Sequence, residues 1–184
     1  MYEEIYEQPP NLYWGELNSH QNHSARGQRH LPEYKYRESL YGFHCRHCQA
    51  YVYTLPEFSG VQNRNHCPFC MWSRHVDLQQ AGDRLSACKA VMQPVGLTLK
   101  RSRNKYGIEK AGELMVIHLC SECGKASINR LAADDTPDVI MDIYRGSLEM
   151  DGLTLTQLEA GGIRVLQAMD VGYVQSQLYG QRQN

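Results

Sequence analysis

Arg64-Asn65-His66-Cys67-Pro68-Phe69-Cys70 is the stretch on which the reading of this chain turns. Two residues between cysteines let both sulfurs face one ion while the amides of the turn face the thiolates, so Cys67 and Cys70 form half of a tetrahedral site. A second pair, Cys45-Arg46-His47-Cys48, lies upstream, with 18 residues between Cys48 and Cys67. That spacing suits a four-cysteine zinc ribbon. A third pair, Cys120-Ser121-Glu122-Cys123, lies downstream.

Seven cysteines are present, an odd number, and six of them are in these pairs. Secreted disulfide frameworks favour even counts and follow a signal, whereas Met1–Pro10 is acidic and lacks an apolar core, so a cytoplasmic metal protein is expected. Cys45, Cys48, Cys67 and Cys70 are assigned to a first ion. The remaining Cys88, Cys120 and Cys123 need a fourth ligand, and His75 is the candidate for a second. A swapped arrangement stays open: Cys45/Cys48 with Cys120/Cys123, and Cys67/Cys70 with His75 and Cys88. A lone Cys88 is also what a buried thiol looks like. The expected cofactor is zinc, two ions in all.

Outward from the pairs, Ala50, Val52 and Thr54 alternate with Tyr51, Tyr53 and Leu55, the period of a strand. Pro56–Asn65 reads as a loop. Pro94–Lys100 and Glu113–Leu119 read as two further strands, joined by the basic loop Lys100-Arg101-Ser102-Arg103-Asn104-Lys105. After residue 135 the period changes. Thr136 before Pro137 and Asp138 is a helix start, and Val139, Ile140, Ile143 and Tyr144 follow helical spacing until Gly152. Thr156 and Glu159 resemble a capping box for a second helix, weakened at Gly161-Gly162. Residues 1–38, rich in Tyr, Asn, Gln and Pro, have no sustained period and read as a weakly ordered arm whose Tyr2, Tyr6, Tyr13 and Trp14 are able to dock on a partner.

The expected class is α+β. A small zinc-ribbon or knuckle domain of short antiparallel strands spans 39–135, with an extended arm over 1–38 and two helices over 136–184. The 184 residues, 42% of them hydrophobic, suffice for one core, and the longest strictly apolar run, Leu114–Ile117, is far too short to span a membrane.

Charge narrows the partners. The whole chain carries −1, but residues 44–135 hold 12 basic and 8 acidic side chains. A Zn(Cys)4 centre contributes a formal −2 and a Zn(Cys)3His centre −1, which leaves the domain about +1, so basicity must be local. The candidates for nucleic-acid contact are Lys100, Arg101, Arg103 and Lys105, with Arg64. A solvated charge run is the plainer reading of 100–105. Tyr51, Tyr53, Phe69 and Trp72 supply rings that stack on unpaired bases.

The motif at 64–68 resembles the name-giving string of the bacterial RNHCP domain family. The resemblance continues through Phe43-x-Cys45-x-x-Cys48, Phe69-Cys70-x-Trp72-Ser73-x-His75-Val76-Asp77, Gly82-Asp83-Arg84, Cys88, Met92-x-Pro94, Cys120-x-x-Cys123 and Asn129-Arg130 with Asp134-Asp135. It implies a small zinc-ribbon-like domain and no settled activity. His66 is then a group that either supports the thiolates or donates to a partner. An enzyme is not expected: the four ligands of the second site fill it, and the H-x-E signature of zinc deaminases is absent. Only if His75 stood away would an open three-cysteine site arise, with Asp77 or Glu122 as base. The expected role is an RNA- or ribosome-contacting adaptor, with a protein-interaction module as the alternative.

Overall fold

Two long segments rich in branched and aliphatic residues pair to form the centre of the protein. In the computed structural model, which describes residues 41–100 and 112–180, these are β4 (Val91–Lys100) and β5 (Glu113–Cys120). Three shorter strands precede them: β1 (Gly42–His44), β2 (Tyr51–Tyr53) and β3 (Ser73–Arg74). β6 (Ala126–Arg130) follows. β1 and β2 form a two-stranded antiparallel hairpin, and β3-β4-β5-β6 form a four-stranded antiparallel sheet. Gly42 is required in the hairpin, since a Cβ there would lie 2.4 Å from the Val52 carbonyl oxygen.

Pro94 sits inside β4 opposite His118, and the register shifts between Pro94 and Gly96. Proline has no N–H for the sheet, so the strand bulges at this point and continues rather than ending. β5 is buried on both faces. Leu114 and Val116 join Leu97, Met71, Ile140, Met141, Tyr144, Leu166 and Val174 in the larger core. Ile117, one residue on and so on the other face, packs with Leu158 and Val165.

The helices supply the covers. Among the described residues these are α1 (Pro56–Ser59), α2 (Pro137–Ser147), α3 (Gly152–Ala160) and α4 (Val171–Tyr179), with a 3-10 turn at Ala168–Asp170. α2 buries Ile140, Met141 and Tyr144 against the sheet. Each such side chain contributes about 1.5–3 kcal/mol on leaving water. Tyr144 is 1% exposed, and its hydroxyl donates to the Gln167 carbonyl at 2.6 Å.

The structure departs from expectation at three places. Pro56–Ser59, read as loop, is one helical turn begun by proline. The three short strands at Gly42–His44, Ser73–Arg74 and Ala126–Arg130 are too brief to show a period in the sequence. The C-terminal region holds three α-helices rather than two, and Gly152, expected to end the first, begins the second, the first having ended at Ser147. Asp151, accepting from the Thr154 N–H at 2.9 Å, caps α3, while Thr156 lies inside it and donates to the Gly152 carbonyl. At Gly161-Gly162, with Gly162 at φ 77°, the helix ends instead of bending.

Candidate metal centres

The three cysteine pairs fold as one repeated turn. Cys45 N–H donates to Ala50 O and Gln49 N–H to Cys45 O; Cys67 N–H to Trp72 O and Met71 N–H to Cys67 O; Cys120 N–H to Lys125 O and Gly124 N–H to Cys120 O. All six distances lie between 2.8 and 3.1 Å. The residue after each pair adopts left-handed backbone: Gln49 at φ 64°, Met71 at 61° and Gly124 at 69°. Lys89, after Cys88, does the same at 54°. Glycine takes this conformation freely, whereas Gln49, Met71 and Lys89 take it at a steric cost. Met71 is held there by complete burial in the larger core.

The turns meet in two groups. Cys45, Cys48, Cys67 and Cys70 have all their sulfurs within 4.8 Å of one another, and His75, Cys88, Cys120 and Cys123 likewise. This is the first of the two pairings open from the sequence, and it brings His75 Nδ1 to 3.4 Å from Cys123 Sγ. Cys45 and Cys70 sulfurs are 3.6 Å apart, Cys48 and Cys67 3.5 Å, and Cys88 and Cys120 3.6 Å. A disulfide needs about 2.05 Å. Two ligands of a tetrahedral zinc with bonds of about 2.3 Å stand about 3.8 Å apart. The observed separations match the metal geometry, and all seven cysteines are free. Each group can therefore hold one zinc ion.

The protonation chemistry fits the same use. Burial pushes the Cys67 thiol up to about 11 and also raises Cys70, although the amides of Phe69, Cys70 and Trp72 pull the other way. Thiols crowded together resist joint ionisation, and a divalent cation reverses that by taking them as thiolates. Burial, followed by the charge of Lys125, lowers His75. The imidazole is thus neutral, the form that binds metal through Nδ1. His75 Nε2 is buried and has no hydrogen-bond partner among the described residues.

A buried polar network ties the first group to the far end of the sheet. Arg64 donates through Nη1 to both oxygens of Asp134 at 2.7 Å, through Nη2 to Asp135 Oδ1 at 2.7 Å, and through Nε to the His66 carbonyl at 3.1 Å. His66 Nε2 lies 2.9 Å from Asp135 Oδ2, which also accepts from the Ala132 N–H. His66 is absent from both metal groups. Asn65 donates to Asp77 Oδ2 at 2.8 Å, and the Gly82 and Arg84 amides donate to the same carboxylate. Asp77, considered from sequence as a base, is thereby engaged in holding a loop.

Burial of His118 pushes it down to about 3. The neutral ring donates from Nε2 to the Met71 carbonyl at 2.6 Å and accepts at Nδ1 from Asn129 Nδ2 at 2.8 Å. These contacts bind β5 and β6 to the turn that follows Cys70. The Thr136 N–H donates to the Pro68 carbonyl at 3.1 Å, and the Thr136 hydroxyl makes no cap. The start of α2 is therefore anchored on a cysteine turn.

Of the residues expected to meet nucleic acid, Arg64 requires correction. Its guanidinium is fully enclosed, with 0% side-chain exposure, between two carboxylates reached from about 70 residues away. Sequence spacing gives no sign of such a pairing. Lys100 is exposed at the end of β4. Arg101, Arg103 and Lys105 lie outside the described residues, as does the arm over 1–38. Asn129, Asp134 and Asp135, which carry the end of the family resemblance, are committed to His118, Arg64 and His66. Arg130 pairs with Glu113 at 2.5 Å. No helix among the described residues is long and apolar enough to cross a membrane.

The sequence model of one protein family, the RNHCP domain, matches residues 41–141, from the hairpin into the first turns of α2. No curated protein and no solved structure matches the chain.

Proposed function

The chain belongs to the RNHCP domain family, and from that premise and the two cysteine-rich groups we propose that it is a structural zinc protein that contacts RNA, as an adaptor on ribosomal or other folded RNA. Cys45, Cys48, Cys67 and Cys70 hold one ion; His75, Cys88, Cys120 and Cys123 hold the other. Each ion closes its four-ligand set and so serves the fold rather than catalysis. The short hairpin β1–β2 gains its folding free energy from the metal.

One observation supports the RNA reading above the rest. The zinc-gripped hairpin and the turn after it expose a cluster of rings. Tyr53 is 56% and Phe58 64% exposed, with centroids 6.0 Å apart, and Tyr51 stands 5.0 Å from Tyr53. Phe69, at the second cysteine turn, is 58% exposed. Grouped exposed rings are a stacking surface for unpaired bases, and Lys100 leads into a run of cations suited to phosphate.

The test begins with the A260/A280 ratio of the purified chain, followed by RNA binding at two salt concentrations. A Lys100→Ala, Arg101→Ala, Arg103→Ala, Lys105→Ala variant loses RNA and keeps both zinc ions. RNA binding that is absent, or indifferent to those four changes, removes the proposal.

A second reading, a protein-interaction module, is favoured by the apolar groups on the C-terminal helices. Leu153 is 81% and Met169 86% exposed, with Val171 and Tyr179 nearby in sequence and also exposed. A zinc-loaded chain that ignores RNA at both salts leaves this reading in place.

A further inference from the structure

A cleft of about 470 Å3 opens beside β1, the first cysteine turn, Asn63–Asn65 and Trp72–Arg74. Its size is within the roughly 300–1,000 Å3 typical of small-ligand sites. Among the described residues no aspartate or glutamate lines it, whereas Arg46, Arg64, Arg74 and Arg84 do.

These four cations are not equivalent. Arg64 is neutralised by Asp134 and Asp135. Arg84 stands 3.9 Å from Asp77 and donates to Asn65. Arg46 and Arg74 pair with no carboxylate among the described residues, and burial, followed by the charge of Arg46, lowers Arg74. Arg74 spends Nε on the Lys89 carbonyl at 3.2 Å, which fixes the guanidinium and leaves its outer nitrogens free. Two like charges lining one cleft with no carboxylate partner among the described residues are a cost that an anion removes, and the planar fork of arginine suits phosphate. In the same cleft His47 lies flat on Trp72, ring centroids 4.2 Å apart and planes 5° from parallel. His47 is exposed, so solvent reaches the stack.

We infer that this cleft seats one unpaired nucleotide of an RNA strand, its phosphate at Arg46 and Arg74 and its base on the His47–Trp72 stack. The inference rests on the RNA reading above and names its site. Rings and paired arginines together answer to the two parts of a nucleotide, and neither feature alone would. Zinc in the first group places a formal −2 in the cleft wall through Cys45, which offsets part of the positive field. The site is therefore tested on the zinc-loaded chain.

The chain has two tryptophans, so Trp14→Phe leaves Trp72 as the sole indole. Titration with octauridylate, which has little structure of its own, quenches Trp72 saturably. Arg46→Gln with Arg74→Gln weakens that binding by at least about tenfold, as loss of two phosphate contacts requires. Zinc stays at two ions per chain. Arg46→Gln alone, at an exposed position, shows part of the same loss and guards against misfolding of the pair. Undiminished binding in the zinc-loaded double variant, or binding without quenching, overturns the inference. Uridine monophosphate competing as well as the oligonucleotide also overturns it, in favour of a free-nucleotide site. If the 100–105 variant abolishes RNA binding while the Arg46/Arg74 variant does not, the RNA reading stands and this site falls. If no RNA binds the wild-type chain, both fall.

Discussion

Arg64 Nη2 and Asp135 Oδ1 meet at 2.7 Å inside the protein, although 71 positions separate them in the chain. The contact closes the cysteine turn at 67–70 onto the residues that lead into α2. The motif around Cys67 is thus as much a clasp as a metal site: Arg64 and His66 grip Asp135, Asn65 grips Asp77, and Pro68 accepts from Thr136.

Breaking that clasp should be costly. Arg64→Ala leaves Asp135, whose side chain is 1% exposed, buried beside His66 without its cation, and costs about 3–5 kcal/mol. Arg64→Lys cannot reproduce the fork to Asp134 and Asp135 and recovers only part of this. Lys100→Ala, at an exposed position, changes stability by less than about 0.5 kcal/mol. Urea denaturation of zinc-loaded protein measures the order. Equal midpoints for Arg64→Ala and Lys100→Ala would remove the structural role assigned to Arg64.

Metal removal should take the hairpin with it. Native mass spectrometry is expected to find two zinc ions in the intact chain, one in Cys70→Ser and one in Cys123→Ser, since the two residues belong to different groups. Chelation should abolish protection of the Gly42–Tyr53 amides from exchange before that of β4 and β5, whose residues share a large apolar core. Retention of both ions by Cys70→Ser would contradict the four-ligand grouping.

The repeated turn allows a matched series at its left-handed position. Gly124→Ala introduces a Cβ at φ 69° and costs about 1–2 kcal/mol. Gln49→Gly, at an exposed site, relieves the same strain but adds unfolded-state entropy, for a net change within about 1 kcal/mol. Met71→Gly relieves strain too, yet empties a fully buried position and costs about 2–5 kcal/mol. Thermal denaturation of the three variants checks the ranking, and a stabilised Met71→Gly would refute the anchoring role of that side chain.

Acid should loosen the loop beside the cleft. Asp83 accepts from the N–H groups of Gln80, Gln79, Leu78 and Leu85, which hold its carboxyl below the usual carboxylate range. Its folded value is depressed, so its contribution is full above about pH 4, the unfolded range, and declines as pH falls further. Amide exchange of residues 78–85 should quicken in that acid window. Asp83→Asn should show the faster exchange already at neutral pH, and a variant with unchanged exchange would show that the carboxylate does not hold the loop.

How much of this was legible beforehand depends on chain distance. The cysteine turns could be read because each is complete within six residues, and its hydrogen bonds join neighbours such as Met71 and Cys67. β4, β5 and α2 showed themselves by periods long enough to count. β1, β3 and β6 did not, since two to five residues carry too little pattern, and each takes its place from the strand beside it. The start of the second C-terminal helix is masked in the sequence because Thr156 and Glu159 mimic a cap that Asp151 provides.

That three thiol pairs form metal-ready turns follows from the chain alone, because such a turn is a local object set by two-residue spacing. Tertiary structure alone decided that Cys67/Cys70 face Cys45/Cys48, that His75 joins Cys88 and Cys120/Cys123, and that Arg64 is enclosed while Arg46 and Arg74 remain without a carboxylate partner among the described residues. Those outcomes depend on which distant segments the sheet and its apolar faces bring together, and a charge or a ligand carries no mark in the chain of the partner it will meet.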